Sequence, residues 1–158
     1  MSTLRLSFFA GAVLCFASLA IAYFYMERHL LLEPCPLCIL DRIVVFVMGC
    51  AFLLSAFSGT YRRKVLWSVN LLALALGFVF AGRHVWQQYQ PVSESANCLS
   101  DGAVAANFTE VIRRAFGAEG DCGAIYWEFL GLSIPELVLI LFGVFSVLLA
   151  AQLVWLRK

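Results

Sequence analysis

Of 158 residues, 63% are hydrophobic and 13% charged, against roughly 45–50% and about 25% in ordinary soluble domains, and a mean hydropathy of +0.89 places the chain in a membrane. Eleven basic and ten acidic residues leave a net charge of +1, which excludes a charged nucleic-acid surface, and the apolar content excludes a disordered segment. The apolar residues run in long blocks, unlike the alternating segments of about ten in a transmembrane β-barrel.

A hydrocarbon core about 30 Å thick requires around 20 apolar helical residues. Four stretches meet that need, over about 6–26, 37–57, 65–82 and 134–156. They predict an all-α integral membrane four-helix bundle, a single domain over 1–158, with loops at about 27–36 and 83–133 on one side. The first stretch has Arg5 ahead of it and Ala20-Ile21-Ala22 near its end, in the manner of a signal peptide. Its uncharged run exceeds the roughly 7–15 residues of a signal core, so it is expected to stay as a span.

Short-loop basic residues set orientation, and Arg5, Arg62-Arg63-Lys64 and Arg157-Lys158 share one side if the spans alternate. Both termini are thus expected in the cytoplasm. All ten acids and the other five basic residues fall in or beside the two opposite loops, giving that face a net −5.

Within the longer outer loop, Val104, Phe108, Val111, Ile112, Ala115 and Phe116 recur at helical spacing, opposite Asn107, Glu110, Arg113 and Arg114. A short helix lying parallel to the membrane fits this pattern, as does one packed on the bundle's end. At the start of the fourth span, Ser133-Ile-Pro-Glu136 reads as a capping box with proline in the first turn, rather than as an intramembrane acid in a proton path.

The six cysteines separate by depth. Cys15 and Cys50 lie inside spans one and two, among apolar side chains that exclude oxidants, and are expected to be inert. Cys35, Cys38, Cys98 and Cys122 all fall on the outer side. An even set in an oxidising compartment points to disulfides, and Cys35-Pro-Leu-Cys38 adds the spacing of an exchangeable pair. If Pro36 takes the first helical position, Cys35 becomes the N-cap and Cys38 falls in the first turn, where unsatisfied N–H groups stabilise negative sulfur. A helix from 36 to 57 is about 33 Å long at 1.5 Å per residue, which brings both cysteines out at the membrane surface.

Arg42 follows Cys38 by four residues and so shares its helix face, below the outer edge of the bilayer. A cation there faces a site or partner, or else snorkels or pairs with Asp41. The four outer cysteines admit two competing uses, a structural staple and a metal centre. No metal is expected, because Cys98 and Cys122 lack the paired spacing of a zinc ribbon and His29 and His84 complete no ligand motif.

The segment Leu31-Leu-Glu-Pro-Cys35-Pro-Leu-Cys38-Ile-Leu-Asp-Arg42 closely resembles the DsbB family of quinone-reducing, disulfide-forming proteins of bacterial inner membranes. Arg83-His84-Val-Trp-Gln-Gln-Tyr-Gln-Pro91, Cys98, Gly120-Asp-Cys122 and Trp127-Glu-Phe-Leu-Gly-Leu-Ser-Ile-Pro135 extend the resemblance over nearly the whole chain. Pro36 departs from some members, which carry other residues between the paired cysteines.

The resemblance implies a Cys98–Cys122 disulfide offered to a periplasmic DsbA-like thioredoxin-fold oxidase. A thiolate of that partner attacks Cys98, Cys122 passes on to Cys35, and Cys38 faces a quinone, ubiquinone or menaquinone, near Arg42 and His84. Four cysteines by themselves allow three connectivities, and spacing does not choose among them. The alternative from another class is a cysteine-stapled tetraspan structural or adaptor protein without turnover.

Overall fold

A computed structural model describes residues 3–32, 34–89, 109 and 127–157. Its first element is α1, Thr3–Ala20, which continues without a break into a wider π-type helix over Ile21–His29. Then come α2, Pro36–Phe57, and α3, Thr60–Gln88; a hairpin of β1, Glu128–Phe129, and β2, Leu132–Ser133, leads into α4, Ile134–Arg157. Four helices are long and apolar enough to cross a membrane: Thr3–His29, Pro36–Phe57, Thr60–Gln88 and Ile134–Leu156. The expected all-α membrane bundle is present. Its first and third helices outrun the apolar blocks because their polar ends stay helical. The predicted amphipathic helix over 104–116 lies outside the described residues except for Thr109, which is helical and exposed.

Pairwise contacts fix the helix directions. Phe8 meets Phe52 and Phe16 meets Phe46 between α1 and α2. Ser55 meets Arg63, and Cys35 meets His84, between α2 and α3. Trp67 reaches Leu149, and Phe78 meets Phe142, between α3 and α4. In each case one number rises as the other falls, so neighbouring helices run antiparallel. The helices pack in chain order, and α4 closes more lightly on α1.

Lipid offers apolar side chains as good an environment as a protein core, so helix association depends on close packing and polar contacts. Small residues supply the close approach. Gly11 lies under the Phe52 ring and Gly49 against Cys15 and Phe16, while a methyl group at Gly77 would collide with Phe142. Phe8, Phe52, Phe142 and Phe145 fill the centre with no exposed surface. Leu54, Leu72, Val79 and Val147 instead point outward, as a lipid-facing surface requires.

The backbone turns at the two ends are closed by different means. Between α2 and α3, the buried Arg63 donates from Nε to Ser55 O at 3.2 Å and from Nη2 to Ser58 O at 2.7 Å, satisfying carbonyls that the end of α2 leaves open. At the opposite end, Leu130 and Gly131 both have positive φ and form the two-residue turn that pairs Phe129 with Leu132. This hairpin, unforeseen in the sequence, delivers Ser133 to the start of α4. Glu136 Oε2 there accepts from Ser133 N–H at 2.7 Å, the return bond of the expected capping box. Glu136 also accepts from Tyr89 Oη at 3.0 Å, tying the end of α3 to the start of α4.

Candidate redox site

Cys35 takes an extended conformation as the N-cap of α2, with Pro36 in the first helical position. Proline loses nothing there, since its missing N–H would have had no helical acceptor. The Cys35 sulfur accepts from Cys38 N–H at 3.3 Å, as a serine or aspartate oxygen does at other helix starts. A polarisable sulfur thus sits where the helix dipole is positive and stabilises negative charge on it.

One turn of helix places Cys38 Sγ 2.9 Å from Cys35 Sγ, in dithiol form. Closing the bond, about 2.05 Å long, takes a side-chain adjustment with no change of fold. Leu37 and Leu40 pack beside the pair, together with Phe80 of α3. Both cysteines remain half-buried.

His84, on α3, is buried, and its Nε2 lies 3.6 Å from Cys35 Sγ. It also interacts with Cys38. The antiparallel run of α2 and α3 brings together residues 49 apart in sequence. A local reading sees only an interfacial histidine beside Arg83.

Arg42 has a partner that the sequence did not reveal. Its Nη1 donates to Glu27 Oε1 in an ion pair between α2 and the π-type end of the first helix, with both side chains mostly covered. Asp41, the local alternative, is not the residue that holds it. Asp41 is buried, its Oδ1 has no hydrogen-bond partner among the described residues, and it interacts electrostatically with Cys38 and His84. The wide stretch accounts for the choice of Glu27. A π-type turn carries more residues than the α-helical 3.6, so the face presented to α2 drifts and no 3.6-residue pattern locates it. Leu30 N–H closes this stretch on Tyr25 O at 3.0 Å.

Aromatic rings crowd the same end of the bundle. Tyr25 lies edge-on to Trp127 with centroids 6.4 Å apart, and Trp127 stacks on Phe129 at 6.0 Å. Tyrosine and tryptophan concentrate where hydrocarbon meets water, so these rings mark the membrane boundary close to the cysteines. Cys15, by contrast, is fully buried in the packed centre, and Cys50 is half-buried. Cys98 and Cys122 lie outside the described residues.

A dithiol capped by a helix N-terminus, beside a buried histidine at one end of a lipid-facing bundle, defines a membrane oxidoreductase of the disulfide-forming class. The chain belongs to the DsbB family. The family model described as "DsbB: Disulfide bond formation protein DsbB" matches residues 4–152. A Methylobacillus flagellatus protein named Disulfide bond formation protein B is 39% identical over 155 residues, covering 92% of each chain. Proteins of the same name from Xanthomonas euvesicatoria pv. vesicatoria and Psychrobacter arcticus are 40% and 36% identical. These cover 83% and 80% of this chain and 79% and 75% of the respective relatives. No solved structure matches it.

Proposed function

We propose that the chain is a thiol:quinone oxidoreductase that reoxidises a periplasmic DsbA-type dithiol oxidase and passes the electrons to a membrane quinone. The observation that carries this reading is the Cys35–Cys38 dithiol with His84 against it, at the end of a bundle whose sides face lipid. Cys98 and Cys122 form the second pair, which meets the soluble partner. The asymmetry of basic residues supports a bacterial inner-membrane placement with both termini cytoplasmic and the cysteines periplasmic.

The quinone, ubiquinone or menaquinone, supplies the acceptor for two electrons and two protons. The donor set fits such a group, because His84 stands against the sulfur pair, Arg42 follows Cys38 by one helical turn, and Asp41 has a buried oxygen with no partner among the described residues. Arg42 and His84 would hold it. The partner's thiolate attacks Cys98 and displaces Cys122, which then attacks Cys35 and leaves Cys38 as the thiolate. Cys38 sits in the first turn of α2, where free N–H groups stabilise that charge. His84 holds or releases a proton beside the Cys35 sulfur as the disulfide opens and closes, and Glu27 keeps the Arg42 guanidinium in place.

The test is a trapping experiment with a partner that keeps only its attacking cysteine, activated as the mixed disulfide of a small aromatic thiol. In Cys122→Ser the Cys98 thiolate should displace the small thiol and accumulate a complex disulfide-linked through Cys98, because the Cys122 thiol that would resolve it is missing. A partner linked to Cys35 in that variant would reverse the proposed order of transfer.

A further inference from the structure

Cys35 Sγ, Cys38 Sγ and a ring nitrogen of His84 all lie within 4.8 Å of one another. We propose that in the dithiol state these three side chains form a binding site for a thiophilic divalent cation, Zn2+ in particular, which holds the pair reduced. The assignment concerns the dithiol itself and stands whether or not the acceptor is a quinone.

The distances suit the ion. Tetrahedral zinc with bonds of about 2.3 Å to sulfur and roughly 2.0–2.1 Å to imidazole separates a sulfur from a nitrogen by about 3.6 Å and two sulfurs by about 3.8 Å. Cys35 Sγ and His84 Nε2 already stand 3.6 Å apart. The sulfurs, at 2.9 Å, need to open by somewhat under 1 Å, which rotation at Cys38 supplies. Three protein ligands leave a fourth position for water, the arrangement of open zinc sites.

Charge argues the same way. A dication and two thiolates sum to zero, so the complex suits a site that α2 and α3 half-enclose at the membrane boundary. Binding displaces the two thiol protons to solvent and moves no electron. Asp41, buried one turn inside Cys38, interacts electrostatically with both Cys38 and His84 and so places a further acidic group beside the three ligands. The oxidised pair has no thiolate to offer, so zinc and disulfide formation exclude each other.

The full chain carrying Cys98→Ser and Cys122→Ser, reduced in detergent, should bind one Zn2+ in competition with a chromophoric chelator. The same chain with its Cys35–Cys38 disulfide closed should bind none at that site. Adding Cys35→Ser and Cys38→Ser should abolish binding, and His84→Ala should weaken it roughly tenfold or more. Equal affinity in the reduced, oxidised and doubly substituted chains would overturn the site, as would unchanged affinity in His84→Ala. X-ray absorption at the zinc edge needs no histidine variant: two sulfurs and an imidazole in the first shell support the assignment, and a shell without imidazole refutes it.

Discussion

The two ends of the bundle use an arginine in opposite ways. Arg63, at the turn between α2 and α3, gives its guanidinium to the carbonyls of Ser55 and Ser58, and nearby Trp67 donates to Leu149 O at 3.1 Å. Polar groups there complete the backbone. At the other end, Arg42 binds a carboxylate from a different helix, Cys35 caps α2 with sulfur rather than oxygen, and Asp41 keeps a buried oxygen without a partner among the described residues. An unsatisfied buried polar atom costs about 1–3 kcal/mol, so natural structures retain few of them. Unpartnered buried atoms occur at both ends among the described residues, Gln152 on the Arg63 side included. The contrast therefore lies in what the groups bind: backbone carbonyls at one end, and at the other a carboxylate of another helix and the Cys38 N–H.

Substitutions at both ends sharpen the contrast, and the largest effect belongs to the sulfurs. Cys35→Ser or Cys38→Ser should abolish steady-state oxidation of a dithiol partner, and full turnover in either variant would break the division between the ends. Arg42→Gln should follow, with quinone use at least about tenfold weaker, equivalent to roughly 1.4 kcal/mol. Lysine should restore only part of it, because it carries charge without the planar fork. Glu27→Gln should shift the quinone dependence in the same direction by a few-fold, since it loosens the guanidinium without removing it. Turnover against quinone concentration, with protein level as control, measures all three.

Arg63→Ala should do the reverse. It should lower stability in detergent by about 2 kcal/mol through the two lost charged hydrogen bonds, and leave the apparent quinone affinity unchanged. Thermal unfolding alongside turnover separates the two outcomes. The smallest effect is expected from Cys15→Ala and Cys50→Ala, which should leave redox activity nearly intact because neither thiol belongs to the Cys35 end.

What could be read from the sequence was local or compositional. Four apolar blocks gave the spans, Pro36 between two cysteines gave the N-cap of α2, and Ser133 with Glu136 gave the start of α4. Each depends on residues within a few positions of one another, where propensity and capping chemistry act. The Arg42–Glu27 pair depends instead on a π-type stretch that breaks the 3.6-residue pattern. His84 joins the cysteines only because α2 and α3 run antiparallel in a register that hydropathy does not encode. The Leu130-Gly131 hairpin was hidden for another reason, since leucine at φ +54 is not a residue that announces a turn.

The central claim is that the Cys35–Cys38 pair itself gives its electrons to quinone at the membrane edge. The direct measurement mixes the reduced Cys98→Ser, Cys122→Ser chain with one equivalent of quinone without oxygen, then maps the disulfides by mass spectrometry while following quinol absorbance. One Cys35–Cys38 disulfide should form for each quinol. Quinol formed with Cys35 and Cys38 still reduced, or no quinol while the pair remains accessible to a small disulfide oxidant, would contradict it.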